Sequence, residues 1–163
     1  KEICLRALQL FDPDIEDMMV FKSDVGNRPV EYLRHKRLGD MPLSTYGDGI
    51  KKVLVLSNAI AAATNGILLI DEIETAIHKR YYDDIFRFIV KACDAFHVQV
   101  FITTHSIEAI DALLGTQDYA KQNDSDAITV VTLKHESNRT YSRVLSGREV
   151  FEDREAFGFE VRL

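Results

Sequence analysis

Two short runs of this chain end in groups that can act on a phosphate and its metal ion. Ile67-Leu68-Leu69-Ile70 leads into Asp71-Glu72, and Val98-Gln99-Val100-Phe101-Ile102 leads into Thr103-Thr104-His105-Ser106. Each apolar run reads as a buried strand, and α/β sheets bind their ligands at the carboxyl edge where such strands end. Asp71 suits a magnesium ion, and Glu72 suits polarising a water for in-line attack. The second strand delivers His105 to the same edge. One helix between the strands makes a βαβ unit, on which the carboxylates and the imidazole converge. The chemistry this implies is nucleotide hydrolysis.

A third run, Leu43-Ser44-Thr45-Tyr46-Gly47-Asp48-Gly49-Ile50-Lys51-Lys52, places small hydroxyl residues and glycines just ahead of a helix. Free backbone amides at the positive end of a helix form an anion site. The plainer reading is a polar turn capped by Asp48. The helix runs directly into the Asp71-Glu72 strand, which favours the anion site. A phosphate-binding loop of the form Gly-x-x-x-x-Gly-Lys-Ser/Thr does not occur in these 163 residues, and the sequence opens on Lys1 rather than methionine. The expectation is therefore the carboxyl-terminal part of a longer ATPase.

The elements that must position these groups follow from periodicity. Residues 2–11 have helical apolar spacing and are ended by Asp12-Pro13-Asp14. Strand-like runs at 17–23 and 29–36, separated by Gly26-Asn27-Arg28, predict a hairpin. Residues 38–49 are turn-rich. A helix is expected at about 50–64, with Val53, Leu54, Leu56, Ile60 and Ala61 on its apolar face and Asn65-Gly66 at its end. A longer helix is expected over about 75–96, with Ile77, Tyr81, Ile85, Phe88, Ile89, Ala92 and Phe96 on one stripe. Ser106 can cap a helix that stops at Gly115. Residues 116–126 read as a loop, and runs at 128–133 and 140–145 as a second hairpin. Ser146-Gly147-Arg148-Glu149 has the form of a capping box for a last short helix. The fold class is α/β: parallel core strands with helices, and antiparallel hairpins at both ends, in a single domain over residues 1–163.

Composition narrows the classes. With 46% hydrophobic and 28% charged residues, the chain can bury a real core. No apolar run approaches the ~20 residues of a membrane span, so no membrane partner is expected. The formal net charge of −6 argues against a surface devoted to nucleic acid. Cys4 and Cys93 are isolated thiols without metal-ligand spacing, and they point to a reducing cytoplasm.

The three runs, in this order, resemble the second half of an ABC-type ATPase head, as in RecF, SMC proteins and the OLD (overcoming lysogenisation defect) ATPases. They are most similar to the bacterial AAA-family ATPases of anti-phage and AbiEii-type toxin–antitoxin systems. Pro-Leu-Ser, Gly-Asp-Gly, the acidic strand and Thr-Thr-His-Ser carry the likeness, and Asp12-Pro13-Asp14-Ile15 and Gly158-Phe159-Glu160-Val161-Arg162 fit it. The resemblance implies the carboxyl-terminal lobe of a P-loop NTPase, with ATP and Mg2+ as cofactors. Asp71 would then be the Walker B carboxylate that holds magnesium through water, Glu72 the general base, and His105 the switch histidine sensing the γ-phosphate. Ser44, Thr45, Gly47 and Gly49 would form the signature that contacts ATP held by a second subunit. An extra residue between Ser44 and Gly47 leaves the hydroxyl role open between Ser44 and Thr45. Residues 74–78 would be the D-loop at the seam of a head-to-tail homodimer. The Walker A half would lie in an amino-terminal partner lobe, and DNA and a nuclease or toxin are the implied partners.

Two other classes compete. A non-catalytic interaction module would have no need for Asp71, Glu72 and His105 together. A hydrolytic metal site could instead use Asp71, Glu74, His78 and His105, with Glu74 and His78 sharing a helix face. Arg34-His35-Lys36-Arg37 is a basic cluster that could meet nucleic acid or simply guard a strand edge.

Overall fold

The computed structural model describes residues 2–22, 29–119 and 126–157. The chain divides into two compact units, Lys1–Thr104 and His105–Leu163.

In the first unit, helix α1 (Glu2–Phe11) buries Cys4, Ala7 and Leu8. Its end is fixed where the Asp14 amide donates to the Asp12 carboxylate at 3.0 Å. Strands β1 (Ile15–Lys22), β2 (Pro29–His35) and β3 (Gly39–Pro42) form an antiparallel sheet in that order. The expected first hairpin is present in this pairing, although its turn at Gly26-Asn27-Arg28 lies outside the described residues. Strand β3 replaces part of what reads as turn, because Leu33 and Met41, and Arg34 and Asp40, come into register across β2 and β3.

Helix α2 (Asp48–Ala62) buries Val53, Leu54, Leu56 and Ile60 of the expected apolar face and leaves Ala61 half-buried, and the chain leaves it through Asn65 at φ 58°. Strands β4 (Ile67–Ile70) and β5 (Gln99–Ile102) then pair in parallel, from Ile67 opposite Gln99 to Ile70 opposite Ile102. Between them, α3 (Tyr82–Ala95) buries Ile85, Phe86, Phe88, Ile89, Ala92 and Cys93. Burial pushes the Cys93 thiol up to about 11, so it stays protonated as a core residue.

Two expectations need correction. The helix expected over 75–96 begins only at Tyr82. Two 3-10 turns, Ile73–Ala76 and Lys79–Tyr81, precede it, with Ile77 and His78 extended between them. The His78 ring accepts the Arg80 amide at 3.3 Å, and that side-chain cap competes with a helical turn there. The buried-strand reading of β4 and β5 also fails on one face and is met only in part on the other, where Leu68, Ile70, Val100 and Ile102 are half-buried. Ile67, Leu69 and Phe101 are 61%, 75% and 52% exposed, because alternate residues of a two-stranded sheet point away from the unit's core.

In the second unit, Ser106 Oγ accepts the Ala109 amide at 3.2 Å and caps α4 (Ile107–Leu114), which ends at Gly115 as expected. Strands β6 (Thr129–Glu136) and β7 (Arg139–Ser146) form the second hairpin. Its turn residues Ser137 and Asn138 both have positive φ, matching the right-handed twist of the strands. Helix α5 (Gly147–Phe157) follows the expected capping box: the Glu149 amide donates to Ser146 Oγ at 3.2 Å, and the Ser146 amide donates back to Glu149 Oε2 at 2.8 Å. Leu114, Tyr119 and Val150 form this unit's core, and Arg154 pairs with Asp111. Among the described residues, no helix is long and apolar enough to cross a membrane.

Candidate nucleotide site

The parallel register sets the geometry at the end of β4. Ile70 lies opposite Ile102, so the next residues, Asp71 and Thr103, emerge side by side at the carboxyl edge. The Thr103 amide donates to the Ile70 carbonyl at 2.9 Å, and the Ile73 amide donates to the Thr103 carbonyl at 3.2 Å. The Thr103 hydroxyl donates to Asp71 Oδ1 and accepts the Glu72 amide at 2.8 Å. Thr104 Oγ1 donates to Glu74 Oε2 at 2.6 Å.

Glu72 sits at φ 43° and ψ 61°, a left-handed conformation that costs a non-glycine residue about 1–2 kcal/mol. Its amide is held by Thr103. Its carbonyl accepts both the amide and the hydroxyl of Thr75, at 3.0 and 2.9 Å. The result is a sharp turn that leaves both the Asp71 and Glu72 residues exposed. A hard carboxylate oxygen in contact with water fits magnesium, which retains several waters when bound by protein.

At the other element, Gly47 rather than Asp48 is the cap residue of α2, and no side chain caps the helix. The expected Asp48 cap is absent because Asp48 is already the first residue inside the helix, where its carboxylate takes Lys51 Nζ at 3.2 Å. Thr45 Oγ1 donates to the Pro42 carbonyl at 2.7 Å, which commits that hydroxyl to the local turn. Ser44 is exposed, and its hydroxyl has no partner among the described residues. Tyr81 closes the 3-10 turn ahead of α3 and lies against Gly47 and Gly49. Arg80 stacks over the Tyr81 ring at 4.5 Å. His105 is exposed and opens the second unit.

The alternative metal reading loses the helix face on which it relied. Glu74 and His78 share no helix face, since Glu74 sits in a 3-10 turn and His78 is extended. Among the described residues, the group able to gather as ligands is Asp12, Asp14 and His35 instead. These are already committed: His35 Nδ1 accepts the Arg37 and Leu38 amides at 3.1 and 3.3 Å, and its Nε2 faces Asp12 at 3.4 Å. Arg37 pairs with Asp14 at 2.6 Å. Arg34 forks onto Asp40 at 2.7 and 2.9 Å and holds that carboxyl below the usual range. The basic cluster is thus largely neutralised by acids of its own unit, which favours the edge-guard reading.

Sequence reasoning passed over Thr103 and Thr104 as site residues. The signal was available, since two hydroxyl residues follow β5 at the same offset as the two acids follow β4.

A family model described as "AAA domain, putative AbiEii toxin, Type IV TA system" matches residues 5–111. The chain belongs to this AAA family. An uncharacterised protein of Methanocaldococcus jannaschii is 30% identical over 116 residues, which span 71% of this chain and 98% of that protein. An ATP/GTP phosphatase of Helicobacter pylori is 31% identical over 124 residues, spanning 72% of this chain but 32% of that enzyme. This AAA chain therefore corresponds to about a third of the length of the Helicobacter relative.

Among solved structures, a chain from work on ATP-driven dimerization and DNA-stimulated activation of SMC ATPases superposes with TM-score 0.58 at 9% identity, over 98% of this chain and 93% of that one. The Smc head of Pyrococcus furiosus with an extended coiled coil, bound to the C-terminal domain of ScpA, gives TM-score 0.52 at 11% identity, over 97% of this chain and 37% of that one. The AAA chain thus has the α/β fold of an SMC-type ATPase head, a P-loop NTPase fold. Family and fold together make it a domain of the ATP-binding and ATP-hydrolysing class.

Proposed function

We propose that this chain is the carboxyl-terminal lobe of an ABC-type ATPase that closes head to tail around ATP. Asp71 holds a magnesium ion through water, and that ion would neutralise charge developing on the transferring phosphoryl group. Glu72 takes the proton of the attacking water, and His105 senses the γ-phosphate. Ser44, Gly47 and Gly49 face the ATP of a second subunit, while Thr45 braces their turn. Of the two hydroxyls, Ser44 is the ligand-facing one in this reading, because Thr45 is spent on Pro42.

The observation that carries the proposal is the acidic turn. Two exposed carboxylates stand at the carboxyl edge of a parallel strand pair, one on a left-handed residue that the surrounding hydrogen bonds hold in place. Backbone strain of this kind collects at functional sites. The apolar outer face at Ile67, Leu69 and Phe101 supports a partner lobe as well, since a parallel sheet is normally covered on both faces. That lobe would supply the Walker A loop. In this reading the ATPase works in phage defence or DNA maintenance in the cytoplasm, beside a nuclease or toxin; the family's description, which names a toxin–antitoxin system, supports the toxin partner.

The direct test is phosphate release from ATP by the protein carrying its Walker A lobe. Magnesium-dependent turnover that is lost in Asp71→Ala supports the reading. Turnover indifferent to Asp71→Ala excludes it.

A further inference from the structure

The family resemblance gives Thr103 no role of its own, yet its amide, carbonyl and hydroxyl all bond to the acidic turn or its flanks. Its amide and carbonyl fasten Ile70 and Ile73, the residues flanking Asp71 and Glu72. Its hydroxyl spends its one proton on Asp71 Oδ1 and a lone pair on the Glu72 amide. A hydroxyl can donate and accept at once, whereas the isosteric valine can do neither. The branched Cβ also restricts χ1, so the hydroxyl is held with little rotamer freedom.

We propose that Thr103 is the positioning residue of the acidic turn: one hydroxyl fixes both the Asp71 carboxylate and the left-handed Glu72 backbone. The inference rests on the functional reading above. The donated proton anchors one oxygen of Asp71 and leaves Oδ2 without a protein partner among the described residues. The accepted amide keeps Glu72 from relaxing to an extended conformation, which would redirect its side chain. Thr104 secures the next stretch by holding Glu74. Without the Thr103 hydroxyl, Asp71 gains rotamer freedom and the Glu72 amide loses its acceptor. Both changes weaken the hold on a hydrated cation more than the hold on nucleotide.

The test uses the protein with its Walker A lobe and compares Thr103→Val, Thr103→Ser and Asp71→Asn. Manganese serves as the probe, its binding in the presence of a slowly hydrolysed ATP analogue followed by electron paramagnetic resonance. Loss of an outer hydrogen bond of this kind typically costs 10–100-fold, so Thr103→Val is expected to weaken manganese binding by about that factor and to lower kcat similarly. Affinity for the analogue without divalent ion stays unchanged. Thr103→Ser, which keeps the hydroxyl, restores manganese binding to within about threefold of the native value. If Thr103→Val does not fold, Thr103→Ala carries the same expectation, since it keeps both backbone hydrogen bonds and removes the hydroxyl. Native manganese affinity and kcat in the hydroxyl-free variant, alongside their loss in Asp71→Asn, overturn the role of Thr103 while leaving the site intact. Native values in Asp71→Asn as well overturn the site reading itself.

Discussion

The Tyr81 ring lies against Gly49 without excluding a side chain there. A methyl group added to Gly49 would stand 3.5 Å from Tyr81 Cε1, and one added to Gly47 would stand 3.9 Å from Tyr81 Oη. Both separations are ordinary van der Waals contact. Gly47 has φ −63° and ψ 164°, which any residue adopts. Neither glycine is demanded by the chain itself, and in the proposed head-to-tail arrangement their smallness serves the close approach of a phosphate from a second subunit.

Gly49→Ala is therefore expected to keep the fold, and to stabilise it by up to about 1 kcal/mol through helix propensity. Gly47→Arg is expected to leave ATP binding to the monomer intact and to block ATP-driven dimerization. Thermal unfolding measures the first, and light scattering with and without ATP measures the second. Nucleotide cross-linking that places ATP against Ser44 of its own chain contradicts the head-to-tail arrangement.

Gly147 behaves in the opposite way. An added methyl would clash with Tyr119 Oη and would stand 2.9 Å from Asp126 Oδ1 and 3.1 Å from Ile128 Cβ. Tyr119 is buried in the second unit's core and cannot swing aside freely. Gly147→Ala is expected to destabilise that unit by about 1–3 kcal/mol, the usual range for overpacking. Adding Tyr119→Phe removes the nearest atom and recovers part of the loss. Urea unfolding of the single and double variants checks this, and additive losses would contradict the proposed contact.

Much of this architecture is legible in the sequence, because the deciding signals are local. Ser146 and Glu149 form their box three residues apart, Ser106 caps the helix it precedes, and strand patterning marks both hairpins. Signals that depend on distant partners are not legible in the same way. Arg34-His35-Lys36-Arg37 reads as a cationic patch until the fold brings Asp12, Asp14 and Asp40 against it. The stripe from Ile77 to Phe96 has helical period, yet the His78 ring and the left-handed Glu72 break its start. At the site, the two acids are evident, but the hydroxyl that holds them comes from 32 residues away through the pairing of β4 and β5.

Glu149 gives a pH-dependent prediction. The Ser146 amide, and then its hydroxyl, hold the Glu149 carboxyl below its ordinary value. A lowered folded-state pKa contributes stability above the ordinary glutamate value of about 4.3, and that contribution is lost as pH falls through the folded value. The Ser146 amide resonance is expected to titrate with a midpoint below about 4.3. Glu149→Gln, which keeps a capping side chain without the charge, is expected to abolish that titration. A midpoint at or above the ordinary value contradicts the capping account.

The central claim is that Glu72 is the general base of an ATPase, and the direct measurement is single-turnover hydrolysis by Glu72→Gln beside ATP binding on the same sample. The protein used carries its Walker A lobe. The amide keeps the shape of the side chain and removes its basicity, so hydrolysis is expected to fall about 10²–10⁴-fold. ATP binding stays at the native level, and the variant accumulates as an ATP-bound dimer. Native hydrolysis in Glu72→Gln, or loss of ATP binding in place of loss of turnover, contradicts the account.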